Sequence, residues 1–132
     1  MPSKKIRKHS FNDETYQIGV DFDGVVHKNS KGFFDGTVYD EPVENITGLL
    51  ELLSKKYKLV LFSAKARKDR MLINGKTGIE LIDEWLVKNN LRHYFIDITA
   101  EKPRALCYID DKAVRFTNTD NCIDRLKEIG LL

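Results

Sequence analysis

Apolar residues fall along the chain in short runs bounded by glycine or polar punctuation, and the runs switch between two periods. Tyr16-Gln17-Ile18-Gly19-Val20-Asp21-Phe22 is rich in β-formers and ends at Gly24, which predicts a buried strand followed by a turn. From His27 to Asp40 the chain is dense in Gly, Lys, Asn and Asp yet carries Phe33, Phe34, Val38 and Tyr39. That mixture predicts a small β-hairpin flap turning near Asn29-Ser30-Lys31-Gly32. Pro42 stands where a first helical residue would, and Val43, Ile46, Leu50, Leu53 and Tyr57 recur at alternating spacings of three and four, predicting an amphipathic helix. Lys58 to Phe62 is a continuous strand candidate, followed by a polar loop or irregular helix from Ser63 to Lys76. Thr77 and Glu80 have capping-box spacing ahead of a helix that buries Ile79, Ile82 and Leu86, places Trp85 in the core or on its rim, and stops at Asn89-Asn90. Tyr94 to Ile98 and Ala105 to Ile109 are two further strands. Cys122, Ile123, Leu126 and Ile129 mark a last helix closed by Gly130.

The order strand, helix, strand, helix, strand, strand, helix predicts an α/β fold with a mainly parallel central sheet and helices on both faces. Ligands of such sheets bind beyond the carboxyl ends of the strands, so polar residues there become the functional candidates. A chain of 132 residues holds one core. We place that domain at residues 16–132 and read the basic, aperiodic segment 1–15 as an N-terminal arm or edge segment. A 42% hydrophobic and 32% charged composition with a net charge of +2 argues against an unstructured polyelectrolyte and gives no bulk electrostatic drive toward nucleic acid. No apolar run approaches the roughly 20 residues of a membrane span, and the first residues lack a secretory pattern. The expectation is a cytoplasmic protein with no membrane partner. Cys107 and Cys122 lack metal-type spacing and are read as reduced, structural thiols.

The chemistry gathers at four predicted strand ends: Asp21 with Asp23, Ser63, Lys102, and Asp110 with Asp111. In extended chain Asp21 and Asp23 point to the same side, and Gly24 lets the backbone leave sharply. If the first and fourth strands are neighbours, Asp110 and Asp111 join them. So many anions cannot all stay ionised without a cation. A hard divalent ion such as Mg²⁺, held by one or two carboxylates plus a substrate phosphate, resolves that repulsion.

Asp21-Phe22-Asp23-Gly24-Val25-Val26, then Ser63 after a hydrophobic strand, Lys102-Pro103, and Tyr108-Ile109-Asp110-Asp111 resemble, in order, the four motifs of the haloacid dehalogenase (HAD) superfamily. The resemblance spans Tyr16 to about Leu126 and implies a Rossmann-like HAD fold and an Mg²⁺-dependent phosphatase working through an aspartyl-phosphate. It makes Asp21 the nucleophile and Asp23 the general acid and then base. Ser63 and a backbone N–H of the first loop would donate to phosphate oxygens, and Lys102 would neutralise charge. The metal would be held by Asp21, the main-chain carbonyl of Asp23, Asp110 and, directly or through water, Asp111, which would alternatively pair with Lys102. Arg67, within a basic group that includes Lys65, Lys68 and Arg70, would meet a second anionic part of the substrate or simply line a solvated loop. His27 is read as a solvated flap residue outside the catalytic set. Gly75-Lys76-Thr77 lacks the glycine and the preceding strand of a P-loop.

Both intervals that carry substrate-selecting caps in that superfamily are short here, which implies a capless enzyme whose open site takes a large substrate or is completed by a neighbouring subunit of a homo-oligomer. The leading expectation is a phosphorylated small molecule, a sugar phosphate or nucleotide. The alternatives are a 3′-phosphatase acting on nucleic-acid ends, through similarity to the phosphatase part of polynucleotide kinase-phosphatases, and a non-catalytic phosphate-binding scaffold on the same fold.

Overall fold

In the computed structural model, residues 16–33 and 35–132 are described; the predicted basic arm 1–15 and Phe34 lie outside them. Strand β1 is Gln17–Asp21, β2 Lys58–Phe62, β3 Phe95–Thr99 and β4 Cys107–Ile109; helix α1 is Ile46–Ser54, α2 Gly78–Lys88 and α3 Thr119–Glu128. Single 3₁₀ turns at Ala64–Ala66 and Arg92–Tyr94 complete the order. The four strands form one parallel sheet in the order β3-β2-β1-β4. Asp21 lies level with Phe62, Phe62 with Thr99, and Val20 with Ile109, so the carboxyl ends of all four strands finish in one row. The chain steps from β1 to β2 to β3 on one side and then crosses to β4 on the other. The topological switch point, where ligands of open α/β sheets bind, therefore falls between β1 and β4.

Alternate residues of β1 and β2, Ile18, Val20, Leu59 and Leu61, point into a core completed by Ile46 and Leu50 of α1 and Ile82, Trp85 and Leu86 of α2. Right-handed crossovers running in the same direction place α1 and α2 on one face of the sheet. The predicted capping box forms: the Thr77 side chain accepts from the Glu80 N–H while the Glu80 carboxylate accepts from the Thr77 N–H. Gly130 has φ 83°, as the residue closing the last helix should.

Four expectations are corrected. The sheet is not covered by helices on both faces in the way the alternation suggested, because α3 contributes no buried residue. Helix α1 begins at Ile46 rather than at Pro42, which instead pairs with His27 in an isolated bridge, and Asn45 at φ 65° breaks any earlier helical path. No strand forms in the described part of 28–41, so the flap is not a hairpin. Asn29, Gly32 and Gly36 take positive φ there, and the Asp40 carboxylate binds Ser30 while Asp35 binds Thr37. Such local side-chain bonds compete with strand ladders. Finally, β3 and β4 start one and two residues later than predicted. Among the described residues no helix is long and apolar enough to cross a membrane.

Candidate functional site

The pairing of β1 with β4 brings Asp21, at the end of β1, beside Asp110 and Asp111, just past the end of β4. One carboxylate oxygen from each of the three lies within 4.8 Å of the others. Burial, then the charges of Asp110, Asp111 and Asp23, push the Asp21 pKa up to about 7. Gly24 sits at φ 89°, and a Cβ there would overlap the Asp111 carboxylate, so only glycine lets the first loop pass this close. Lys102 Nζ stands 3.4 Å from Asp110 Oδ2 and lies over the Tyr108 ring at 5.1 Å. The lysine thus pairs with Asp110, not with Asp111. An all-oxygen set of three converging carboxylates suits a hard divalent cation, and Asp21, Asp110 and Asp111 could hold one.

Asp23 belongs to a different environment. Its Oδ1 accepts from His27 Nδ1 at 2.9 Å and from Lys65 Nζ at 2.9 Å. His27 Nε2 accepts the Asp40 N–H at 2.9 Å, which leaves the ring proton of the neutral imidazole on Nδ1, aimed at Asp23. Burial alone would raise the Asp23 pKa, but the hydrogen bonds from His27 and Lys65 and the lysine charge outweigh it and lower it. The Asp23 side chain is therefore not one of the three converging carboxylates.

His27 and Lys65 are the residues that sequence reasoning misplaced. His27, expected in solvent, is fully buried, and Lys65, read as one member of a basic loop, is 3% exposed. The available signal was position: Lys65 follows Ser63 by two residues, and one 3₁₀ turn at that strand end folds the lysine back over the sheet. Ser63 is buried, donates its N–H to the Thr99 carbonyl, and accepts the Lys65 N–H on Oγ at 3.1 Å. Its hydroxyl caps the 3₁₀ turn and still carries a proton to donate. Arg67 is exposed and forks onto Asp69 at 2.7 and 3.1 Å. With Lys68, Asp69, Thr99 and Glu101 it lines a groove of about 910 Å³, whose walls include none of Asp21, Asp23 or Lys102. Arg70 instead lies 4.6 Å over the Phe33 ring. The basic group therefore splits three ways instead of forming one anion-binding loop.

The chain matches no protein-family model, no curated protein and no solved structure.

Proposed function

We propose that the protein is a Mg²⁺-dependent phosphatase of HAD type that hydrolyses a phosphate monoester through an aspartyl-phosphate on Asp21. One observation carries the reading. Two carboxylates two residues apart occupy opposed environments, Asp21 in an anionic cluster fit for a metal and Asp23 on buried donors. The division is geometric: Asp21 stands with Asp110 and Asp111, where a bound cation would keep it ionised as a nucleophile, and Asp23 is held apart on His27 and Lys65 as the proton carrier. Asp21, Asp110, Asp111 and the Asp23 main-chain carbonyl would hold Mg²⁺, which when bound supplies charge neutralisation between carboxylate and phosphate.

The rest of the chemistry belongs to the chain. An Asp21 oxygen attacks phosphorus in line; the new acyl-phosphate bond forms as the bond to the leaving oxygen breaks, and Asp23 supplies the proton that oxygen needs. A phosphate dianion beside Asp23 raises its proton affinity for this step. In the second half Asp23, as the carboxylate its donors favour, removes a proton from the water that hydrolyses the acyl-phosphate. Lys102, already paired with Asp110, and the Ser63 hydroxyl would donate to the transferring oxygens. The groove beside the site mixes Lys68 and the Arg67–Asp69 pair with Glu101, which favours a small phosphate monoester over a polyanionic strand.

The test is Mg²⁺-dependent phosphate release from sugar phosphates, nucleoside monophosphates and 3′-phosphorylated oligonucleotides, with Asp21→Asn as the paired control. Activity on the first two classes that disappears in the variant is the expected result. Undiminished activity in Asp21→Asn would sink the mechanism, and a wild-type protein that binds phosphate without turnover would make it a scaffold.

A further inference from the structure

We infer that Lys65 and His27 act together as positioning residues that lock the Asp23 carboxylate in one orientation, leaving a single oxygen to exchange protons with substrate and water; this rests on the phosphatase reading.

Both donors reach the same atom. Asp23 Oδ1 takes His27 Nδ1–H and Lys65 Nζ–H, each at 2.9 Å, which occupies its two lone-pair directions. Oδ2 has no hydrogen-bond partner among the described residues. A carboxylate that flips exchanges its two oxygens, whereas one held at Oδ1 from two sides presents Oδ2 alone.

Each donor is itself held by a different part of the fold. The His27 ring stacks on Phe22 at 5.2 Å and 5° and meets the edges of Tyr39 and Trp85. Its Nε2 accepts the Asp40 N–H, while the Asp40 carbonyl accepts Trp85 Nε1–H at 2.8 Å. The backbone of Asp40, through its N–H and its carbonyl, thus links α2 to the imidazole. Lys65 is fixed from its backbone: Ser63 Oγ accepts its N–H, and Gly78, the first residue of α2, packs so close that a Cβ would overlap the Lys65 carbonyl oxygen. Its Nζ passes 5.8 Å from the Tyr39 ring before reaching Asp23. A lysine buried for packing alone would not be carried 42 residues in sequence to the one oxygen that a buried histidine also addresses. Second partners of this kind typically tune a reactive group by about 10- to 100-fold.

Rapid mixing of the full chain and Mg²⁺ with p-nitrophenyl phosphate separates positioning from mere structural support. The leaving group needs no proton, so formation of the aspartyl-phosphate does not depend on Asp23, but its hydrolysis does. Lys65→Met is expected to keep the rate of the p-nitrophenolate burst within about threefold of wild type while steady-state turnover falls about 10- to 100-fold. Lys65→Arg, which retains a donor, is expected to recover most of the turnover. His27→Phe is an independent arm, because it keeps a ring on Phe22 but removes the donor, and the same split is expected. Equal loss of burst and turnover in the variants that fold, or loss of neither, overturns the inference and leaves the phosphatase reading standing. A wild-type protein that releases no phosphate from this ester or from an alkyl phosphate removes the phosphatase reading itself, and the inference with it.

Discussion

Asp21 and Asp23 leave the same strand end two residues apart, yet they are governed by different halves of the molecule. Asp21 faces β4, where Asp110 and Asp111 add their charges to its own and its pKa rises to about 7. Asp23 faces the 27–40 segment and the β2–α2 connection, where His27 and Lys65 overcome burial and lower its pKa. One pocket is short of positive charge and the other is furnished with donors. The difference teaches that the short motif supplies two carboxylates, while their environments are set by His27 four positions away, Lys65 42 positions away, and Asp110 and Asp111 about 90 positions away in the chain.

The largest expected effect comes from breaking the pair one member at a time. Asp21→Asn should reduce turnover by at least about 10³-fold and form no covalent phosphate. Asp23→Asn should also turn over poorly, but should accumulate acid-stable radiolabel from a substrate with a good leaving group, because hydrolysis of the intermediate is blocked. Identical behaviour of the two variants would erase the distinction between the pockets.

The next effect concerns the unbalanced charge around Asp21. Its folded pKa, about 7, lies above the ordinary value of 3.8, so the folded chain binds more protons than the unfolded one between those limits. Stability from this group is therefore fully present below about pH 4 and is lost as pH rises toward 7. Without metal, Asp21→Asn should melt above wild type at pH 8, by roughly 2–8 °C, and level with it near pH 4. A melt that is higher for wild type at pH 8 would show that the cluster is not repulsive.

Adding Mg²⁺ sharpens the same contrast from the other side. The wild-type melting temperature should rise with Mg²⁺ at pH 8, more than at pH 5, because at pH 5 a proton competes for Asp21. The Asp21→Asn protein should respond less at both. Arg67→Ala is the smallest perturbation and lies outside both pockets. Its partner Asp69 is exposed like itself, so the melting temperature should not move, and only a raised KM would place the neighbouring groove in substrate binding.

The elements were legible where one local signal dominated. The Lys58–Phe62 run formed β2 with the predicted bounds, and the Thr77–Glu80 spacing formed the capping box that starts α2. Reading failed where two local signals competed. Pro42 carried a helix-start signal, but Asn45 in the left-handed region delayed α1 to Ile46. Phe33, Val38 and Tyr39 suggested a hairpin, while the side chains of Asp35 and Asp40 satisfied the turns around them and left no ladder. For the candidate site, the residues at strand ends could be named from their pattern. His27 could not, because a polar residue in a polar stretch has no period to mark it as buried, and Lys65 offered only its place two residues past Ser63.

By itself, then, the sequence determined that short apolar runs would alternate into strands and helices of an α/β sheet, and that Asp21, Asp23, Ser63, Lys102, Asp110 and Asp111 would stand at or just beyond strand ends. These follow from period and punctuation, which act over a few residues. Only the tertiary structure decided that β4 lies beside β1, that three carboxylates converge while the Asp23 side chain turns away, that Lys102 pairs with Asp110, and that α3 stays unburied. Those facts depend on strand order and on which buried donor finds which acceptor. Both are settled when distant segments compete for the same space and the same hydrogen bonds, a competition that no local stretch of chain records.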